Sequence, residues 1–101
     1  MHLGNYLKII MIKKGVSGQD LSNLLNKQKG MSVKSVGNAT VTKYQVSHWI
    51  NGKERISPLM ARRIEIALDL PKNSLLRLTN KSSANMREYN IVFGKEGDEE
   101  G

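Results

Sequence analysis

The stretch at residues 42–53, TKYQVSHWINGK, decides how this chain is read. Thr42 is a short hydroxyl residue of the kind that caps a helix N-terminus, and Val46, Trp49 and Ile50 follow at i, i+3 and i+4. Those three fall on one face, which has to be buried. Tyr44, Ser47, His48 and Asn51 point the other way, and Gly52 ends the helix. A face of short polar, aromatic and imidazole groups, instead of dense Lys and Glu, is suited to contact more than to solvation.

Toward the N-terminus, Leu3, Leu7, Ile10 and Met11 trace a first amphipathic helix that stops at Lys13, Lys14 and Gly15. Ser17 then offers an N-cap, Asp20 lies in the first turn near the positive dipole end, and Leu21, Leu24 and Leu25 form the stripe of a second helix over residues 18–28. Residues 29–41, KGMSVKSVGNATV, lose the helical period and read as a loop. Within it, 32–36 and 39–42 can pair as a small hairpin across Gly37 and Asn38.

Toward the C-terminus, Ser57 and Pro58 open a fourth helix, because Ser caps and Pro is preorganised where its missing N–H costs nothing. Met60, Ile64, Ala67 and Leu68 are its stripe, and Pro71 closes it. Asn73 or Ser74 caps a short fifth helix through Leu75, Leu76 and Leu78. After a linker at 81–83, residues 88–93, EYNIVF, read as a strand ended by Gly94. A lone strand needs a partner, so it is expected to pair with its copy across a two-fold axis. The fold class is therefore all-α, with five helices in a domain over 1–81, an insert between helices two and three, and a short C-terminal strand at 82–94 as dimerisation arm. The last residues, 95–101, hold no apolar side chain and read as a disordered acidic tail.

Composition narrows the function. The 101 residues suit one compact domain, with 16 Lys and Arg against 9 Asp and Glu, a formal charge of +7. Setting apart Lys95, Glu96, Asp98, Glu99 and Glu100 leaves 15 basic and 5 acidic side chains over 1–94, net +10, beside a tip of net −3. A polyanionic partner is the first expectation. Without cysteine there is no disulfide, thiolate metal site or cysteine nucleophile. The longest apolar run, 9–12, is far below the ~20 residues of a membrane span, so neither membrane insertion nor export is expected. His2 and His48 are the only histidines, Ser47 projects away from its neighbour His48, and no Gly-rich phosphate motif or carboxylate pair is visible. The chain reads as no enzyme, with no cofactor and no metal.

With these elements in order, the run from Ser17 to Leu68 resembles the Cro and phage-repressor helix-turn-helix family. This group includes xenobiotic-response-element type regulators and HigA-type antitoxins. The specific part is the pattern Val46, Ser47, Trp49, Asn51, Gly52, Lys53; Leu21, residues 41–49 and the Ile56, Ser57, Pro58, Met60, Ala61, Ile64 series support it. Two departures stand out. Roughly 14 extra residues, 27–40, separate helices two and three where the family has a turn of three or four, and Gly18 stands where the family often has Gln.

The resemblance implies that helix three enters the major groove of double-stranded DNA. Lys43, Tyr44, Ser47 and His48 would meet base edges, with Gln45 at the flank. Lys43 would donate to guanine O6 and N7, His48 to a purine N7, and Tyr44 would combine a hydroxyl contact with a thymine methyl. Thr42, Asn51, Lys53 and Arg55 would sit against phosphates. With glycine at position 18, backbone N–H groups beside Ser17, or Gln19, would grip the phosphate that the family's Gln holds. Lys27, Lys29 and Lys34 of the insert are either further backbone contacts or solvated loop charges.

Plainer readings stand beside these. Tyr44 and His48 can cover the protein's own insert. Trp49 reads as core and not as a base-stacking platform, and Arg62 and Arg63 read as a solvated helix face. At the level of function, the resemblance implies a homodimeric transcriptional repressor on a pseudo-palindromic operator, in the bacterial cytoplasm at the nucleoid. An antitoxin is the alternative, clamping a toxin protein through strand addition at 80–94. An RNA-binding module is the third reading, without the RNP and KH signatures.

Overall fold

The computed structural model describes residues 2–28 and 40–100, the stretch 95–100 by its backbone alone. The described chain is all-helical: α1 (Leu3–Lys14), α2 (Gly18–Asn26), α3 (Lys43–Ile50), α4 (Pro58–Ala67), a single 3-10 turn (Leu76–Leu78) and α5 (Ser83–Glu100).

Each of the first four helices begins on a side-chain cap in extended backbone. His2 Nδ1 accepts from the Asn5 N–H at 3.3 Å, Ser17 Oγ from Asp20, Thr42 Oγ1 from Gln45 and Ser57 Oγ from Met60. Ser17 and Asp20 bond reciprocally, each side chain accepting the other's backbone N–H at 3.1 Å. The cap at His2 carries no sequence signal, since imidazole is uncommon in that position. α1 stops at Gly15 (φ 67°), whose left-handed backbone lets the next N–H, of Val16, reach back to the Met11 carbonyl at 2.9 Å.

The stripes meet in one main core of Leu7, Met11, Leu21, Leu25, Val41, Val46, Trp49, Ile56, Ala61, Ile64, Leu68 and Leu75. Trp49 is 2% exposed, a core residue as its spacing predicts. α1 crosses the end of α3 closely enough that a Cβ at Gly4 would overlap the Trp49 carbonyl oxygen. Glycine is required there by close approach of two backbones. Two buried aliphatics from α4 and the 3-10 turn, Leu59 and Leu76, make a second cluster with Tyr89 and Phe93 of α5.

Four expectations are corrected. The short fifth helix is only a 3-10 turn: Asn73 lies in left-handed backbone (φ 74°) and not in an extended cap, Leu78 and Thr79 donate three residues back to Leu75 and Leu76, and the N–H groups of Asn73, Leu75 and Leu76 donate to the Glu65 carboxylate at 2.8–3.1 Å. Residues 88–93 are helical, not a strand. In helical register Met86, Tyr89 and Phe93 stack on one face against Leu59 and Leu76, with the Tyr89 and Phe93 rings 5.1 Å apart, and burying that face outweighs β propensity. Among the described residues there is no strand, so a dimer arm or toxin clamp by strand pairing has no basis in this fold. The stretch 95–100, read as a disordered tail, continues the backbone of α5.

The fourth correction concerns α4. Arg62 and Arg63 are not a solvated face: Arg63 is 9% exposed and the Arg62 side chain 15%. Arg63 donates through Nε to Gln28 Oε1 and through a terminal nitrogen to the Leu25 carbonyl, both at 2.9 Å, and its own carbonyl accepts from Gln28 Nε2 at 2.8 Å. The Leu25 carbonyl at the end of α2, which also accepts the Gln28 N–H at 3.2 Å, thus takes a second donor from α4. Burial pulls the Arg63 guanidinium below its usual range, and it stays protonated at neutral pH.

Glu65 is 0% exposed, pairs with Arg62 at 3.1 Å, and accepts the three N–H groups of the turn. Replacing Glu65 with Ala should cost about 3–5 kcal/mol, since it strands those donors and the paired arginine in the interior. Glu65→Gln should cost less, keeping one acceptor oxygen. Chemical denaturation of both variants checks the order; equal, small losses would show that the turn holds without the carboxylate.

Candidate functional site

α3 divides largely as its spacing predicts, except that Ile50, expected inside, is only half-buried. Val46 and Trp49 are buried, while Lys43, Tyr44 and His48 are exposed and Gln45 and Ser47 half-buried. Tyr44 is 67% exposed, with the Lys43 ammonium 5.4 Å from its ring centroid, a cation–π contact that holds the two side chains together at the first turn. Ser47 Oγ accepts from Asn51 Nδ2 at 3.2 Å, so a residue expected at bases and one expected at phosphates are joined along the same face. Thr42, at the N-cap, is exposed with its oxygen occupied by the Gln45 N–H at 3.2 Å.

The loop after α3 is folded back on its end. Gly52 (φ 74°) donates to the Trp49 carbonyl at 3.2 Å, and Lys53 and Glu54 both donate to the His48 carbonyl, at 2.8 and 3.2 Å. This places Lys53 directly beyond the helix, with Arg55 next, and both are exposed. Thr42, Lys43, Tyr44, Ser47, His48, Asn51, Lys53 and Arg55 thus follow one another along α3 and its exit.

The start of α2 lies against the start of α3. A Cβ at Gly18 would stand 3.7 Å from both the Lys43 carbonyl oxygen and Val46 Cγ1, so the two positive helix ends approach side by side. Ser17 is exposed there. Gln19 is differently engaged than expected: its Nε2 donates to Ser22 Oγ at 3.2 Å and Asn23 Oδ1 at 3.0 Å, which turns the amide back along α2. Lys27 is exposed at the end of α2, while Lys29 and Lys34 lie outside the described residues.

Sequence reasoning missed the residues that hold α2 to α3. Asn26 donates through Nδ2 to the Val41 carbonyl at 2.8 Å and accepts the Val41 N–H on Oδ1 at 2.9 Å. An asparagine ahead of an aperiodic stretch carries no signal for so distant a partner. Gly4 does carry one, since glycine inside a helical pattern often marks close backbone approach.

An open groove of about 680 Å³ beside Trp49 contains His2, Glu54 and Ser57. Two of these are structural: His2 Nδ1 and Ser57 Oγ accept the cap N–H groups of α1 and α4. Among the described residues no three His, Cys, Asp or Glu side chains cluster as metal ligands, and no helix is long and apolar enough to cross a membrane.

No protein-family model matches the chain, and neither a curated protein nor a solved structure matches it.

The cap of α2 makes this edge of the site sensitive to acid. The Ser17 N–H, and after it the Ser17 hydroxyl, hold the Asp20 carboxyl below the usual carboxylate range. A depressed folded value means that the stabilisation is complete above the unfolded aspartate range, about pH 4, and is lost as pH falls through the folded value. Asp20→Asn should therefore flatten the stability profile below about pH 4 and leave the slope at neutral pH unchanged. Urea midpoints measured from acid to neutral pH check this; an unaltered acid limb would assign acid sensitivity to other carboxylates.

Proposed function

We propose that this chain is a sequence-specific DNA-binding regulator of the Cro and phage-repressor helix-turn-helix type, with α3 as its reading helix. The observation that carries the reading is the division of α3. Its inner face is sealed by Trp49 at 2% exposure, while Tyr44, at 67%, stands with Lys43 and His48 on the exposed face. What distinguishes this face is its mixture, since an ammonium, a phenol and an imidazole side by side match a groove of base edges and methyl groups.

The surrounding charge supports the same reading. Residues 1–94 carry net +10, and the exposed Lys43, Lys53 and Arg55 bracket α3 in sequence. Cations at either end of a reading helix neutralise phosphates and set register, while side chains between them discriminate bases. Ser17 joins the phosphate set through the start of α2. Gln19, turned back on Ser22 and Asn23, would have to give up those bonds to join it. The partner is double-stranded DNA, and two copies on a pseudo-palindromic operator would place α3 in successive major grooves about 34 Å apart. In this reading the chain acts by occupancy as a repressor and catalyses nothing.

Selection of bound duplexes from a random pool supplies the cognate site. On that site Tyr44→Ala and His48→Ala should each lose about 1–3 kcal/mol of affinity and relax preference at one or two base positions, with binding to random duplex little changed. Lys53→Ala should weaken cognate and random duplex by similar factors. Variants are first shown to be folded by circular dichroism. Unchanged cognate-to-random ratios for both Tyr44→Ala and His48→Ala would remove α3 as the reader.

A further inference from the structure

The roughly 14 residues at 27–40 interrupt the chain where the resemblance calls for a tight turn, yet α2 and α3 pack directly on each other. A long connection does not hold two helices in register by itself, because a segment of that length permits many relative placements of its ends. Something outside the connection has to do it, and the described residues show what.

Asn26 is the last residue of α2, and Val41 immediately precedes the Thr42 cap of α3. A carboxamide can both donate to and accept from a single backbone residue, and that of Asn26 does so with Val41, at 2.8 and 2.9 Å. Val41 is itself 3% exposed and belongs to the same core cluster as Val46, the fourth residue of α3. Those two positions form a hydrophobic staple, which sets the angle at which the chain runs into the helix. On the other side of the neck, Gln28 is held by its reciprocal pair of bonds to Arg63, which also takes the Leu25 carbonyl. The chain thus leaves the core at Gln28 and is caught again at Val41, one residue before the reading helix is capped.

We propose that Asn26 is the positioning residue of the reading helix: by clasping Val41 it closes a neck that sets where α3 begins, so that the residues between Gln28 and Thr40 can be exchanged without altering which bases are read. This rests on α3 being the DNA reader. The neck takes the place of the short covalent turn, and the residues beyond it are left to evolve separately from the reading face.

The test compares three chains on the duplex motif selected by the unaltered protein: Asn26→Ala in the full chain, a chain in which 29–39 are replaced by about five Gly and Ser residues, and the two changes combined. Asn26→Ala should stay folded by circular dichroism, lose about tenfold in cognate affinity, the scale of coupling from a residue that does not touch the ligand, and select a broader motif. The shortened chain should select the original motif. In the combined chain the Asn26→Ala penalty should shrink, because a short link restrains Val41 without the clasp. A folded Asn26→Ala variant with the original motif and affinity overturns the proposal, as does a shortened chain that selects different bases. Should the shortened chain fail to fold, the motif selected by Asn26→Ala alone decides. If the unaltered protein selects no motif at all, it is the reading helix itself that falls, and the salt dependence of its non-specific binding then describes the surface.

Discussion

The carboxylate of Glu65 is the group on which the C-terminal half of this fold depends. It is buried, balanced by Arg62, and saturated by backbone N–H groups from a turn that would otherwise have no partners for them. That turn carries Leu75 into the main core and Leu76 into the cluster beneath α5. A single side chain therefore joins the two clusters. The cost of burying it is offset by its ion pair with Arg62 and by the N–H groups of Leu75 and Leu76, which are buried with it. Arg63, two residues earlier on α4, does the complementary job for α2, satisfying the Leu25 carbonyl and holding Gln28. α4 works as the post to which both the half that bears α3 and the C-terminal half are tied.

The candidate site is held in place by contacts that lie behind it. Gly4 lets the backbone of α1 press on the Trp49 carbonyl, Trp49 and Val46 anchor α3 from within, and Asn26 fixes its start. The outward face carries almost none of this burden, so its side chains are available for recognition. A reading surface benefits from that separation, since base discrimination by hydrogen bonds tolerates little displacement of the helix that presents them.

Much of this is legible in the sequence. The stripes of α1, α2, α3 and α4, apart from the exposed Leu24, the caps at Ser17, Thr42 and Ser57, and the buried role of Trp49 follow from local chemistry that repeats at the helical period. The outward set of Lys43, Tyr44 and His48 follows from the same period. The pattern misleads where local and tertiary preferences disagree. The segment EYNIVF has β-branched and aromatic residues in a row, but Met86 joins the face of Tyr89 and Phe93 that packs on Leu59 and Leu76 only in helical register. The triple-leucine segment at 75–78 has helical spacing, but it is held as a single 3-10 turn, with its Leu75 and Leu76 N–H groups on a carboxylate ten and eleven residues away in sequence.

What the sequence determined by itself is therefore the set of helices with strong periodic stripes and capping residues, and the chemistry shown on the outer face of α3. These depend on interactions within four residues, and a linear pattern displays them fully. Only the tertiary structure decided the state of the C-terminal segment, the interior placement of Arg63 and Glu65, and the clasp of Asn26 on Val41. The physical reason is the same in each: a buried group takes whichever partner the fold brings within reach, for a polar one about 3 Å. For Asn26 and Val41 that partner is 15 residues distant and for Arg63 and Gln28 it is 35, separations at which sequence carries no periodic signal.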